Sequence, residues 1–226
     1  MKRYIPVIIL VCASCCLAQM KTDQSAVLVD GIPKTNCEEL LARTDNFGNQ
    51  LQSNPMLIGI VVVYGSDARI TEYPARFIYQ AIIGRWGFAP RVKIFHSESP
   101  EPWRVQFWLA HSESDVKISN SQLVISSPLT ITSRYYFGTE SGDPCSNHIS
   151  TGVARILNAN PNYEAQIIIF NVPRNQRAEA AAGWLKTFRE DFGITRKQLR
   201  IFFKKDHRES FIVYNSEFWI VPTQTK

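Results

Sequence analysis

One segment of this chain occurs twice, and that recurrence limits the possible folds more than any other feature of the sequence. Asn54-Pro55 returns as Asn160-Pro161, and from there a shift of 106 positions holds without a gap for over thirty residues. Ile60-Val61-Val62-Val63-Tyr64 falls on Gln166-Ile167-Ile168-Ile169-Phe170, Gly65 on Asn171 and Gly87 on Gly193. Phe107-Trp108-Leu109 matches Phe218-Trp219-Ile220 after a small insertion in the second copy, and Cys37 and Cys145 each precede an amphipathic stretch that ends at the Asn-Pro. Apolar strands match by chance, but Asn-Pro, Gly and Phe-Trp recurring in the same order do not. The chain therefore reads as two copies of one module.

Each copy predicts the same elements. Leu40, Leu41, Phe47 and Leu51 recur at helical spacing, Asn36 is a candidate N-cap, and the Asn-Pro stops the helix. Residues 58–64 form a continuous β-branched run, as expected of a strand buried on both faces. A second helix is expected over 75–85, with Gly87 as its C-cap, followed by strands at 91–96 and 104–111. The second copy predicts helices over 147–157 and 176–192 and strands over 165–171, 199–204 and 210–221. A short strand-like piece precedes each copy, at 26–29 and at 129–132, which makes the module β-α-β-α-β-β. The joining segment 112–141 alternates at Val116, Ile118, Leu123 and Ile125 and predicts a hairpin, with 138–144 as the true loop.

With 45% hydrophobic and 20% charged residues, the chain has the composition of a packed globular protein, not a disordered tail, a collagen rod or a coiled coil. Its one long apolar run is N-terminal: Met1-Lys2-Arg3-Tyr4, then Ile5 to Leu17, then Ala18-Gln19. That pattern predicts a secretory signal cleaved after Ala18. The alternative is lipid attachment at Cys15, which follows Ala13-Ser14 and would tether the chain to a membrane surface. The expected divisions are 1–18 signal peptide, 19–111 first module, 112–144 connecting segment and 145–226 second module. Loss of Lys2 and Arg3 lowers the formal net charge from +5 to +3, and loss of Cys12, Cys15 and Cys16 leaves Cys37 and Cys145. So mild and scattered a charge, on an exported chain, argues against nucleic acid as a partner. An even cysteine count in an oxidising compartment permits one disulfide, and Cys37 and Cys145 hold equivalent places in the repeat; the alternative is two separate buried thiols. No cofactor or metal is expected, because the four histidines show no ligand spacing and no Cys-x-x-Cys occurs.

With these punctuation marks, the β-α-β-α-β-β order resembles the OmpA-like periplasmic domain, whose second helix carries an Arg-Ala pair. Here Ala75-Arg76 is reversed and Arg177-Ala178 stands in the family's order. The run from Gly193 to Ile201 is similar to the family's Gly-Val/Ile…Arg-Ile passage into the third strand, and Arg104-Val105-Gln106-Phe107 to its Arg-Arg-Val-Glu-Ile strand. The resemblance implies an α+β fold of two modules with mixed sheets. It also implies a ligand, the diaminopimelate of peptidoglycan, held between an Asp in a Gly-x-Thr-Asp loop and the helix Arg. Carried over, it names Asp67, Arg76 and Arg177 as ligand-binding candidates. The loop departs from the family: copy one has only Gly65-Ser66-Asp67, and copy two, Asn171-Val172-Pro173-Arg174, has no acid. A surface ion pair between Asp67 and Arg76, and solvated Arg174 and Arg177, are the plainer expectations.

Catalytic residue types are present without a catalytic pattern. His111 with Ser112-Glu113-Ser114-Asp115 offers base, hydroxyl and acid types, but no Gly-x-Ser-x-Gly elbow occurs. His96 at a strand end reads as an exposed loop residue, and the carboxylates Glu98, Glu101, Asp115, Asp143 and Glu217 are dispersed. Trp103, Trp108, Trp184 and Trp219 offer a sugar-stacking platform or, more plainly, core packing. The expectation is an exported, non-catalytic envelope protein that binds peptidoglycan or another envelope protein; the rival is a secreted hydrolase.

Overall fold

The computed structural model describes residues 26–87, 91–100, 102–126, 133–140, 149–205 and 216–223. The first module runs β1 (Val27–Ile32), α1 (Cys37–Ser53), β2 (Ile58–Gly65), α2 (Ala68–Ala81, continued by a π turn Ile82–Trp86), β3 (Val92–Glu98), β4 (Arg104–Ala110) and β5 (Ser121–Ser126). The second runs β6 (Tyr135–Glu140), α3 (Ile149–Ala159), β7 (Tyr163–Phe170), α4 (Arg177–Phe192), β8 (Leu199–Lys204) and β9 (Ser216–Pro222). The fold is α+β, with two mixed sheets and the β-α-β-α-β-β order in each module.

The helix ends follow from local chemistry, and the C-terminal ends share it between the modules. The Asn36 side chain accepts the Glu39 N–H at 2.9 Å, and Glu38 and Glu39 place negative charge in the first turn of α1. At the other end Asn54 donates its side-chain amide to the Gln50 carbonyl at 2.7 Å, and Asn160 does the same to Ile156 at 2.9 Å. Gly87 and Gly193 close the second helices at φ 71° and 70°, in the left-handed region where a side chain is strained.

The first sheet has the order β1-β4-β2-β3-β5 and the second β6-β9-β7-β8. β2 and β3 are parallel, as are β7 and β8, and the other pairings are antiparallel. The correspondence extends to single residues. Val61 pairs with Phe107 and Ile94, and Ile167 pairs with Phe218 and Ile201. Even the irregularity recurs: β1 slips register between Leu28 and Asp30, and β6 between Tyr136 and Gly138. Such a bulge inserts one unpaired residue, here Val29 and Phe137, and both pack toward the core.

One apolar core runs through both modules, from Leu40, Phe47, Val61 and Ile78 to Val153, Ile167, Phe188 and Phe218. The seam lies between α2 with its π turn and the pair α3 and β6. In the π turn the Gly87 N–H reaches back to Ile82 at 3.0 Å, and the Ile83 carbonyl receives Arg155 Nη1 from α3 at 2.6 Å. Gln80 donates its amide to the Phe137 carbonyl, Tyr79 meets the Phe137 ring edge-on at 6.4 Å, and Gly152 lies against Phe137 and Ile83.

The seam is one-sided. Ile149, Gly152, Arg155 and Ile156 on α3 correspond to Arg43, Asn46, Asn49 and Gln50 on α1, a polar outer face. Arg76, Tyr79 and Gln80 on α2 and Ile83 in its π turn correspond to Ala182, Leu185, Lys186 and Arg189 on α4, of which all but Leu185 are exposed. The residues that make the seam in one module are thus replaced by polar or mostly exposed ones at the matching places of the other.

Several expectations need correction. The second helix of module one begins at Ala68, not 75, and runs through Pro74. Residues 112–126 give a short 3₁₀ turn and one strand, β5, which joins β3; among the described residues they form no hairpin. The place of β1 is taken in module two by β6, so Gly138 is in a strand and not in a loop. The strand expected at 129–132 lies outside the described residues, as do the predicted signal peptide, with its cleavage site after Ala18, and Cys15 and Cys145.

Candidate functional site

Ligand sites in sheets with parallel strands favour the carboxyl ends of those strands, which in module one is the loop after β2. Its own side chains fill this end. Thr71 is buried, its N–H reaches the Asp67 carbonyl at 3.3 Å, and its hydroxyl lies 2.9 Å from His96 Nδ1. His96 is 5% exposed, so it is an interior residue of β3 and not the exposed loop residue expected. Ser97, beside it, donates to the Ser119 carbonyl at 2.9 Å.

The same node in module two has different chemistry. Arg177 occupies the helix position of Thr71, and Phe203 the strand position of His96. The Arg177 guanidinium lies over the Phe203 ring at 5.4 Å and its Nε donates to the Val172 carbonyl at 3.3 Å. Arg177 thus fastens its loop rather than standing solvated, whereas Arg174 is exposed. The expected Asp67–Arg76 ion pair does not form. Arg76 pairs with Glu72 one turn back at 2.8 Å and lies over the Tyr136 ring of module two at 4.9 Å. The structure therefore does not bring the three carried-over candidates together.

The hydroxyls and acids beside His111 are engaged in a local turn. The Ser112 N–H donates to the Asp115 carboxylate at 2.7 Å, the Ser112 hydroxyl bonds that of Ser114 at 2.8 Å, and Lys93 pairs with Glu113. Ser112 and Asp115 form a capping box around a 3₁₀ turn, whose hydrogen bonds hold Asp115 below the usual carboxylate range. Among the described residues no group of three or more His, Cys, Asp or Glu is placed to hold a metal ion, and no helix is long and apolar enough to cross a membrane.

The surface with unused chemistry is the outer face of the second sheet. Strand pairing sets Tyr136, Trp219, Gln166 and Arg200 in one row and Thr139, Glu217, Ile168 and Phe202 in the next. The Tyr136 and Trp219 rings lie 4.9 Å apart, and the Arg134 guanidinium sits 4.0 Å over Trp219. Trp219 Nε1 donates to Glu217 at 3.2 Å, and buried Glu164 accepts from Arg200 Nε at 2.8 Å. Arg134 is exposed and forms no ion pair among the described residues. Phe202 is 42% exposed. In module one the corresponding face, with Trp108, Tyr64 and Phe95, is overlaid by Val116 and Ile118.

The four tryptophans make no common platform. Trp184 packs edge-on against Phe218 at 5.2 Å on the helix side, and Trp103 packs against the main core. Sequence reasoning missed Tyr136 and Arg134; the Trp108–Trp219 match was a signal that led to this face. A concavity of about 400 Å³ lies at the opposite end of the first sheet, lined by Val27, Pro55, Met56, Leu57, Leu109 and His111.

Cys37 is disulfide-bonded. The other four cysteines, Cys145 among them, lie outside the described residues. Compared with known proteins, the chain matches no family model and no curated sequence.

Proposed function

We propose that this chain is an exported, non-catalytic binding protein of the cell envelope, built from two degenerate OmpA-like modules, which takes a wall glycan on the outer face of its second sheet. The β-α-β-α-β-β order in two mixed sheets is the order that this resemblance implies. A disulfide at Cys37 supports an oxidising compartment, since structural disulfides persist there and are rare in the cytosol. The stack Arg134–Trp219–Tyr136–Arg76 is the observation that carries the binding reading. Aromatic faces pack against the apolar faces of sugar rings, and an exposed Arg with no carboxylate partner among the described residues suits the acidic groups of a wall peptide.

Co-sedimentation of the mature chain with purified peptidoglycan tests this. Retention should fall by at least about tenfold in Trp219→Ala and in Arg134→Glu, on the scale of one lost stacking or charge-assisted contact. Retention indifferent to both changes, or turnover of a generic ester or glycan substrate, overturns the reading.

A further inference from the structure

β3 and β8 are the same strand of the repeated sheet, but their outer edges differ. β3 is covered on that edge by β5, antiparallel, from Lys93 opposite Ser126 to Ser97 opposite Ser121. β8 pairs with β7 on one side, and no described strand pairs with it on the other. The difference shows in burial. Ile94 is fully buried and its counterpart Ile201 only partly; Phe95 is partly buried and its counterpart Phe202 is 42% exposed. An open strand edge offers a row of N–H and C=O groups to another chain.

We propose that β8 is a docking edge for an extended segment of a partner protein, added antiparallel, with an apolar centre and an acidic residue at the N-terminal end that meets Lys204. The way β5 sits on β3 sets the pattern. Transposed to β8, the place of Ile125 falls opposite Ile201 and that of Leu123 opposite Phe202, so apolar residues belong there. The places of Ser126 and Ser121 fall opposite Arg200 and Lys204. Arg200 already holds Glu164, whereas Lys204 is exposed and makes no ion pair among the described residues, and Lys205 follows it, so a carboxylate complements the Lys204 end. A second copy of the chain does not fit. Antiparallel pairing of β8 with itself about Phe202 sets Arg200 against Lys204 twice, and like charges directly opposite repel. Main-chain bonds would supply affinity, and alternate side chains specificity. This inference rests on the sheet edge and is independent of the glycan reading.

The test adds the capped peptide Glu-Gln-Leu-Val-Ile-Ser to the full mature chain and follows amide exchange and chemical shifts by NMR. Alternate amides within Leu199–Lys204 should gain at least about tenfold protection. Affinity should fall at least about fivefold in Lys204→Glu and for a peptide with Lys in place of that Glu. It should fall at least about tenfold for a peptide N-methylated at its centre, which loses a ladder donor. Three results overturn the proposal: no protection of β8 at millimolar peptide, perturbation of Val92–Glu98 in its place, or equal binding of the N-methylated peptide. A concentration-dependent dimer paired through β8 in sedimentation overturns the choice of partner.

Discussion

Phe107 and Phe218 stand at the same node of two sheets. Phe107 lies opposite Val61 on one side and Asp30 on the other, and Phe218 lies opposite Ile167 and Gly138. Both are fully buried in the one core that joins the modules. Truncating either ring in a shared core should weaken the whole chain and not one half. Phe107→Ala and Phe218→Ala should each cost about 3–5 kcal/mol. Denaturant unfolding followed by circular dichroism and by tryptophan fluorescence should give one coincident transition in each variant; two separable transitions would show independent modules.

The seam makes a sharper prediction. A Cβ on Gly152 would stand 2.8 Å from the Phe137 ring and 3.3 Å from Ile83, both buried. Gly152→Val should therefore destabilise by about 1–3 kcal/mol through overpacking. Gly183 on α4 has no atom within 4 Å of a built Cβ, so Gly183→Ala should stabilise by up to about 1 kcal/mol through helix propensity. Paired urea titrations of the two variants check both signs.

Tyr135 gives a pH dependence at the same seam. Burial pushes its phenol up to about 12, against the opposing pull of the Arg76 guanidinium. Below pH 10 the phenol is protonated in folded and unfolded chains alike, and this group leaves stability whole. As pH rises through 10 toward about 12 the unfolded chain sheds its proton first, and stability falls by about 2 kcal/mol. Tyr135→Phe should flatten that part of the curve, measured as the midpoint difference between variant and parent from pH 9 to 11.5.

The disulfide has a definite expected partner. Pairing of Cys37 with Cys145 closes a loop of roughly 100 residues, worth on the order of 4 kcal/mol in the chain-entropy model. Cys37→Ser, Cys145→Ser and the double variant should then lose the same stability in thermal melts. A Cys145→Ser protein as stable as the parent would assign the bond to another cysteine.

Much of this architecture is visible in the residues. The β-branched runs gave β2 and β7, and the extent of β8 agrees residue for residue with the expected 199–204. Asn36, Asn54 and Asn160 mark helix ends because their caps are local chemistry. The misreadings have tertiary causes. Gly138 looks like a turn residue, yet it pairs with Phe218 in a strand and leaves room for Gln80, which a Cβ there would meet at 2.6 Å across the seam. The second helix is expected only from 75, yet α2 starts at Ala68 and runs through Pro74. His96 looks exposed until Thr71 is brought against it from 25 positions away. The outer face of the second sheet was the least legible, because Arg134, Tyr136 and Trp219 meet only once β6 pairs with β9.

The most direct measurement is mass spectrometry of the native protein, isolated from fractionated cells without reductant. The account predicts a chain in the envelope or secreted fraction that begins near Gln19, or carries a lipid on Cys15, with Cys37 oxidised. An intact Met1 on a cytoplasmic protein with a free Cys37 thiol would contradict it.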